Sequence, residues 1–586
     1  MTRMQRHVPP ERAPIGADSG RRRGARMLGA GAVLALLLAV AGVAVDAAVT
    51  APAPMPRSTT IATAVINNFA PDLLSGQDGL PASPAFPLKY GPFNTSIDVD
   101  GNAIDAHEAH LAYFEGRYWM YGREWGCGTF AFGYQRNIDD TRNDKPECGI
   151  VSLSSPDLVH WRVINRDYVP TLHGEQVGDN KPQVVWSPRL HRYLMWFVGP
   201  RGYYVAQSRS PGGPWGDVFK PTGQYLSHDL NIVIDQHGSG YVASDVMAGR
   251  DGRLPTWDIW VQKLHADLTG TTGEAVRVMS RVSFEGIGFF EHAGYWYLLG
   301  GRTCPNCPST NISYVMARTP LGPWTNQDGS ITSPLHPTQL SGDGCLGQHK
   351  GANVLPSPSG PIVLAGIMQY RSSPLDEDGP VVHGDNNQAI ANTYWWPLRF
   401  DPNHHIEPLS CQASVRVPLA RPVAASFTSA PPLDTSPASP HQLDCRVTST
   451  RALQQRWRVP PGSMIRELRV PVFQRTTNLG PEEQDAGMNS GLSVRVDLSS
   501  GRSMTALFAP GWISWAPRSV VLNLAPPLES AGEITITFST HATNGCYGVV
   551  IGEANGALRQ GLYSTVERGV RRDVPRAQLV LAAVTK

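Results

Sequence analysis

The chain contains 586 residues, too many for one ordinary hydrophobic core, so its length predicts at least two domains. Fifty Lys and Arg side chains against 49 Asp and Glu leave a net charge of +1, which gives no electrostatic basis for nucleic acid as a partner. The 58 glycines and 50 prolines, with 15 tryptophans and 18 tyrosines, favour many short strands and exclude a helical bundle.

Residues 1–50 are predicted to form a targeting segment. Arginines between positions 21 and 26 precede an apolar run from Met27 to Ala44. This length lies between a signal-peptide core and a spanning helix, so a cleaved signal peptide and an uncleaved membrane anchor both remain open. In either case the positive flank stays in the cytoplasm, and the rest of the chain is expected to be secreted, periplasmic or at the cell surface.

The eight cysteines are an even number in a chain expected to be exported, which favours disulfides. Cys445 and Cys546 bracket the C-terminal region and are expected to tie its ends together. The Cys304-Pro-Asn-Cys307 spacing also suits a zinc or redox pair, but no second such pair accompanies it, so a disulfide is the better prediction.

A self-similar unit recurs five times: a turn, an aromatic-rich strand, then a second strand and a polar turn. The first strands are FEGRYWMYG (114–122), RLHRYLMWFVG (189–199), QHGSGYVASDV (236–246), EHAGYWYLLGG (291–301) and SPSGPIVLAGI (357–367). The repeats predict an all-β fold with a five-bladed β-propeller over residues 85–415. The alternative is a β-sandwich whose hairpins resemble one another by coincidence.

Beyond the predicted propeller, residues 421–442 are rich in Pro, Ser, Thr and Ala and are expected to be a linker. Residues 443–586 regain period-two alternation, as in LSVRVDL (492–498) and EITITF (533–538), which predicts an accessory β-sandwich. Its Trp457, Trp512 and Trp515 are candidates for a sugar platform, with burial in the core as the favoured alternative.

Three acidic residues directly precede or begin predicted inner strands of the propeller, where side chains converge on the axis: Glu108, Asp229 and Glu285. Glycoside hydrolysis needs one carboxyl group that delivers a proton and a second that activates water or attacks the sugar. A third nearby carboxylate raises the pKa of the acid by like-charge repulsion. The alternative for each residue is an ordinary strand-end acid that caps backbone amides or pairs with arginine.

Residues 90–410 resemble the propellers of glycoside hydrolase family 43. The stretch IDAHEAHLAYFEGRYWMYG resembles the segment with the family's general base and implies Glu108, a Glu where the family usually has Asp. SHDLNIVIDQHGSGYVASD resembles the segment whose Asp orients the acid and tunes its pKa, implying Asp229. FEGIGFFEHAGYWYLLGG resembles the segment with the general acid, implying Glu285.

Within family 43, the galactanase-like branch is the best match for two further segments, KPQVVWSPRLHRYLMW (181–196) and the RTPLGPW turn. The sequence departs from that branch at Asn180-Lys181, where the branch often has Glu-Arg. The segment Gly347-Gln-His-Lys350 implies that His349 lines the channel. Trp125 and Trp186 are candidates for stacking on sugars, with packing between blades as the alternative. A Cys127–Cys148 bridge is expected across the long first-blade loop.

These features predict an exported glycoside hydrolase that cleaves galactose-, arabinose- or xylose-containing glycans, with inversion at the anomeric carbon. The expected partner is an oligo- or polysaccharide, with membrane attachment only through the N-terminal segment. No cofactor or catalytic metal is expected, although a structural calcium is compatible with the resemblance. The alternatives are a carbohydrate-binding protein on a degenerate propeller and a structural cell-surface protein that binds no sugar in its channel.

Overall fold

The computed structural model describes the chain in segments separated by gaps, and the predicted targeting segment lies outside them. The described residues are 62–68, 98–100, 102–126, 149–252, 254–303, 310–331, 335–345, 347–369, 392–412, 414–421, 433–434, 438–459, 464–476, 488–529, 532–553, 563–574, 577–579 and 581–585. Within these ranges, no helix has the length and apolarity needed to cross a membrane.

Five antiparallel sheets follow one another along the chain after an N-terminal strand, β1 (Thr63–Asn67). Blade one contains β2 (His107–Phe114), β3 (Arg117–Arg123), β4 (Ile150–Ser155) and β5 (Arg162–Tyr168). A short hairpin, β6 (Thr171–Leu172) and β7 (Glu175–Gln176), leads to blade two, which contains β8 (Asn180–Ser187), β9 (Arg192–Gly199), β10 (Gly202–Ser208) and β11 (Gly216–Phe219).

Blade three contains β12 (Leu230–Ile234), β13 (Gly240–Asp251), β14 (Leu254–Leu264) and β15 (Thr271–Val282). Blade four contains β16 (Glu285–His292), β17 (Tyr295–Gly301), β18 (Ile312–Ala317) and β19 (Trp324–Thr325), and β20 (Thr338–Ser341) also pairs with β18. Blade five contains β21 (Gln348–Leu355), β22 (Ile362–Gln369) and β23 (Asn392–Pro397). In each blade the sheet order follows the chain order, as expected of a propeller.

Hydrophobic clusters between neighbouring blades hold the propeller together. Tyr121 of blade one shares a buried cluster with Met195 of blade two, and a further cluster joins each later pair of blades. Leu111 of blade one and Leu364 of blade five share the cluster that closes the ring. Because neighbouring blades cover both faces of each sheet, strands such as β9 (RYLMWFVG) are almost entirely buried.

Three buried amide side chains join the inner strands around the axis. Gln183 makes a pair of hydrogen bonds with the backbone of Ile232 in blade three, at 2.8 and 3.0 Å. The Oδ1 atom of Asn231 accepts from the backbone N–H groups of Phe289 (2.7 Å) and Ala352 (3.1 Å), in blades four and five.

Asn353 of blade five completes this amide ring, because its Oδ1 atom accepts from the backbone N–H of Leu111 in blade one at 2.7 Å. Backbone groups at the inner edges are therefore satisfied by side chains from other blades.

An N-terminal strand also helps to close the propeller. β1 pairs with β24 (Ser414–Pro418), and the Asn68 amide exchanges two hydrogen bonds with the backbone of Trp395 in blade five, at 2.8 and 3.1 Å. A disulfide joins Cys345 to Cys411, the residue three positions before β24.

Two facing sheets form the C-terminal region. The first contains β25 (Leu433–Asp434), β26 (Ala438–Val447), β28 (Met464–Thr476), β31 (Arg518–Glu529), β33 (Gly545–Glu553), β36 (Ala577–Leu579) and β37 (Ala582–Thr585). The second contains β27 (Arg451–Val459), β29 (Leu492–Leu498), β30 (Ser503–Phe508), β32 (Gly532–Thr540), β34 (Tyr563–Glu567) and β35 (Val570–Asp573). Both sheets contribute to one core, so the predicted fold class, a propeller followed by a β-sandwich, is confirmed.

The predicted Cys445–Cys546 disulfide is present and ties β26 to β33. The other four cysteines, including the Cys304–Cys307 pair and the Cys127–Cys148 bridge, lie outside the described residues. β25 and the start of β26 fall within the segment predicted as a linker, so part of that segment pairs with the sandwich.

Asn231→Ala is expected to lower the free energy of unfolding by about 2–6 kcal/mol, because two buried N–H groups lose their acceptor at about 1–3 kcal/mol each. Chemical denaturation of the full-length chain measures this change. Asn403→Ala, at an exposed turn position, is the matched control and should change stability by less than about 0.5 kcal/mol. Equal stability of the two variants would contradict the role of the amide ring.

Candidate active site

Irregular strand starts aim polar side chains at the propeller axis. The pairing register shifts between His107 and His110 in β2, and between Asn180 and Gln183 in β8. Glu108 and Lys181 lie at these bulges with φ angles of 52° and 48°, a left-handed conformation that costs a non-glycine residue about 1–2 kcal/mol. Bulges re-aim side chains, and backbone strain tends to concentrate at functional sites.

The candidate base, Glu108, is 8% exposed and lies against a lysine from blade five. Lys350 Nζ is 3.2 Å from Glu108 Oε1. The other carboxylate oxygen, Oε2, is buried and accepts no hydrogen bond from the described residues. This oxygen can therefore receive a proton from a water or a substrate hydroxyl.

The second predicted acid, Asp229, is buried at the start of blade three. Lys181 Nζ lies 2.6 Å from its Oδ1 atom, and the backbone N–H of Gly286 donates to its Oδ2 atom. Burial alone would raise the pKa of Asp229, but the charges of Lys181, His228 and Lys350 hold it well below its usual range. Asp229 is therefore a carboxylate at neutral pH.

His228 lies between two carboxylates. Its Nδ1 atom is 3.5 Å from Asp229 Oδ1 and 3.2 Å from Asp245 Oδ1, and its ring stacks on Trp257 at 4.6 Å. Although burial alone lowers the pKa of His228, the charges of Asp245 and Asp229 raise it to about 9. Burial raises the pKa of Asp245 to about 6, with His228 opposing the shift.

Within the described ranges, His228, Asp229 and Asp245 are the group whose donor atoms lie close enough to hold a metal ion. Their atoms are already engaged, because Asp229 contacts Lys181 and Gly286, and Asp245 Oδ1 accepts from the backbone N–H of Asp229 at 2.6 Å. The trio is better suited to a protonated imidazole held between two carboxylates than to a cation, which would compete with the Lys181 ammonium group.

The candidate acid, Glu285, is the first residue of β16 and is also buried. Gln348 Nε2 donates to its Oε1 atom at 2.5 Å. His349 Nδ1 hydrogen-bonds the carbonyl of the next residue, Gly286, and a carbonyl only accepts, so Nδ1 carries the proton. Burial lowers the pKa of His349 to about 4, so its ring is neutral near pH 7.

The first strand of blade five thus contacts two of the three predicted segments with consecutive residues. Gln348 contacts Glu285, His349 contacts the residue after it, and Lys350 contacts Glu108. Asp229 joins the same network through Gly286. The structure therefore brings the three predicted acids and His349 together.

A narrow axial cavity of about 20 Å³ lies beside Glu108 and Lys350. Its walls come from the inner strands of four blades and include His110, Lys181, Gln183, Asn231 and Asn353. This volume holds about one water molecule and is too small for a sugar ring.

Neither of the two predicted stacking residues presents an exposed ring beside the carboxylates. Trp125 is 2% exposed and stacks on His107 at 4.1 Å, so its ring is used in packing next to Glu108. Trp186 is 37% exposed but lies near the end of β8, whereas Lys181 lies at its start. Five residues of strand separate the two by roughly 16 Å, so the structure does not bring Trp186 to the carboxylates.

Sequence reasoning missed the residues that contact the acids: Lys181, His228, Asp245, Gln348 and Lys350. Some signal was available, because His228 adjoins Asp229, and Gln348 and Lys350 flank His349. Polar residues at or just before the starts of inner strands would have identified all of these except Asp245, which lies within β13.

Residues 141–347 match the model of Glycosyl hydrolases family 43. The matched segment includes Asp229 and Glu285 and ends just before β21. This match, over about a third of the chain, confirms the predicted resemblance to glycoside hydrolase family 43 and supports the predicted enzyme class, a family 43-type hydrolase of O-glycosyl bonds. No curated protein sequence matches the chain significantly.

Solved structures with remote similarity include an exo-beta-1,3-galactanase from Phanerochaete chrysosporium with beta-1,3-galactotriose. It is 18% identical, with 78% of this chain and 99% of that chain covered and a TM-score of 0.42. A thermostable family-43 glycoside hydrolase is 19% identical, with 56% of this chain and 100% of that chain covered and a TM-score of 0.39.

The raised pKa of His228 predicts a pH-dependent contribution to stability. Since the folded pKa of about 9 lies above the ordinary histidine value of 6.5, the contribution is complete below pH 6.5 and is lost as the pH rises through 9. His228→Gln should therefore destabilise the chain more at pH 6 than at pH 10, as measured by denaturation across that range. His237→Gln, at an exposed turn, is the control, and a pH-independent effect of His228→Gln would refute the prediction.

Proposed function

We propose that the propeller hydrolyses the glycosidic bonds of galactose-, arabinose- or xylose-containing glycans with inversion at the anomeric carbon. Glu285 is the general acid, Glu108 is the general base, and Asp229 positions the acid. The observation that carries this proposal is the contact of three consecutive residues, Gln348 to Lys350, with the segments of Glu285 and Glu108.

Glu285 is suited to donating a proton because its position is fixed from two sides. Gln348 holds the carboxyl group by a hydrogen bond to its Oε1 atom, which fixes the orientation of the proton donor. Asp229 accepts from the N–H of Gly286, and His349 donates to the carbonyl of the same residue, so the backbone after Glu285 is clamped. A positioned acid reduces the entropy lost in reaching the transition state.

Glu108 is suited to activating water. Lys350 binds one of its oxygens, and the other is buried with no hydrogen bond from the described residues. The adjoining cavity has room for about one water. In an inverting reaction this water attacks the anomeric carbon while Glu108 takes its proton, on the face opposite Glu285.

Galactose is the first sugar to test, because the RTPLGPW turn and residues 181–196 resemble the galactanase-like branch. The chain departs from that branch at Asn180-Lys181, and Lys181 serves here as the ion-pair partner of Asp229. Arabinose and xylose therefore stay in the substrate panel. The chemistry proposed consists of proton transfers among carboxyl groups and water and uses no cofactor.

We also infer export from the cytosol. The apolar run from Met27 to Ala44 supports it, and so do the disulfides Cys345–Cys411 and Cys445–Cys546, because such bonds persist in oxidising compartments.

A second candidate function is carbohydrate binding without turnover. The observation that favours it is the contact between Glu108 and Lys350, because one oxygen of the candidate base is already engaged by an ammonium group. A binding protein of this kind would hold oligosaccharide and release no sugar.

Glu285→Gln in the full-length chain should lower the hydrolysis of unactivated galactosides about 10²–10⁴-fold, because the leaving oxygen loses its proton donor. Aryl glycosides with acidic phenol leaving groups need little protonation and should lose far less activity. Reducing-sugar release and phenol release measure the two substrates.

Glu291→Gln, at the opposite end of the same strand from Glu285, is the matched control. If neither wild type nor variant released sugar while both bound it, the binding alternative would replace the hydrolase proposal. Equal losses on both substrate types would contradict an acid role for Glu285.

The stereochemistry of the first product gives an independent prediction. NMR of the sugar released at early times should show the anomer opposite to that of the substrate, because Glu108 activates water in a single displacement. Retention of configuration would instead require a covalent intermediate and would assign Glu108 as a nucleophile.

A further inference from the structure

The sandwich docks on blade one through the segment that precedes β31. Ser514 Oγ and the backbone N–H of Trp515 both donate to the carbonyl of Gly126, at 2.8 and 2.7 Å. Arg518 reaches Glu124 Oε1 at 2.8 Å. A Cβ atom at Gly126 would lie 2.3 Å from Ser514 Oγ, so the two surfaces are in close contact.

This junction lies at the same end of the propeller as the carboxylates. Gly126 follows the end of β3, and its backbone N–H donates to Asp105 Oδ2 at 2.9 Å. Asp105 lies three residues before Glu108, and His107 hydrogen-bonds the Asp105 carboxylate at 3.0 Å. A short series of contacts therefore connects the sandwich to the candidate base.

Trp512 is the exposed member of the three tryptophans considered in the sandwich. It is 77% exposed, whereas Trp457 and Trp515 are each 4% exposed and belong to the interior. It ends a single 3₁₀ turn (Pro510–Trp512) that begins only a few residues after β30.

The backbone that carries this indole is held firmly. The N–H of Trp512 donates to the carbonyl of Ala509 at 2.9 Å. Gln474 Nε2 donates to the carbonyls of Pro510 and Ile513, at 3.0 and 2.6 Å. A large aromatic ring is thus presented to solvent on a fixed turn, although its burial would be favourable.

We propose that Trp512 is a stacking subsite for a distant sugar of a polymeric glycan whose end lies at the propeller site. This inference rests on the proposed function and adds that the substrate is a chain that extends onto the sandwich. Pyranose rings offer a C–H face that packs on an indole, and a rigid aromatic ring loses little conformational entropy on binding.

The geometry sets the scale of that substrate. Trp512 lies two residues before Ser514, which contacts Gly126. Gly126 in turn contacts Asp105, which lies three residues before Glu108. Extended-chain reach and these contacts place the Trp512 and Glu108 backbones roughly 30 Å apart at most. An oligosaccharide is long enough to span a separation of this size.

Trp512→Ala in the full-length chain tests the proposal. We expect the ratio of kcat/KM for a β-1,3-galactan to kcat/KM for an aryl galactoside to fall about tenfold, mainly through KM for the polymer. Trp512→Phe should restore most of the ratio because an aromatic face remains. Leu507→Ala, which removes a side chain 76% exposed on the same domain, is the matched control.

An unchanged ratio in Trp512→Ala would overturn the subsite, and so would an equal fall in Leu507→Ala. A change of oligomeric state in Trp512→Ala, measured by light scattering, without a change in the ratio would assign the indole to a contact between copies and also overturn it. If wild type hydrolyses neither polymer nor aryl glycosides of any sugar in the panel, the proposed function itself has failed. Melting curves check that the variants are folded.

Discussion

Side-chain amides at the axis are the constraint on which the rest of the propeller depends. The inner edge of every blade carries backbone groups that neither a neighbouring strand nor bulk water can satisfy. Gln183, Asn231 and Asn353 satisfy several of them from other blades and so fix the spacing of the inner strands. The carboxylates begin or directly precede the same strands, so their relative positions follow from the closure of the ring.

Buried charge at the site is balanced by the chain's own cations. Asp229 pairs with Lys181, and Glu108 pairs with Lys350. An isolated carboxylate would be costly to bury, whereas a paired one with further hydrogen bonds is tolerated. The surroundings of the carboxyl groups also differ, because ammonium groups hold Asp229 as an anion whereas the neutral amide of Gln348 donates to Glu285.

The sequence was most informative where local pattern and chain order carry the structure. Repeated turn-and-aromatic strands predicted the blades, and acids before inner strands predicted Glu108, Asp229 and Glu285. Contacts between distant segments were not predictable in this way: Lys350 meets Glu108 only because blade five closes on blade one. Trp186 shows a related limit, since its sequence neighbourhood suited stacking, but strand direction carries it away from the end where the acids lie.

Asp105 connects the sandwich to the end of the propeller where the three predicted acids lie. Its carboxylate accepts from the N–H groups of Trp125 and Gly126, bonds His107 beside the base, and lies 3.7 Å from Arg518 of the sandwich. Burial alone would raise the pKa of Asp105, but His107 and Arg518 hold it below its usual value, so this group stays charged. The buried Asp105 carboxylate thus contacts His107 in the inner strand of blade one, the backbone after β3 and the docked segment of the sandwich. Loosening the junction is therefore expected to disturb the backbone that carries Glu108. The orientation of the sandwich and the position of Glu108, the candidate base, are coupled in this way.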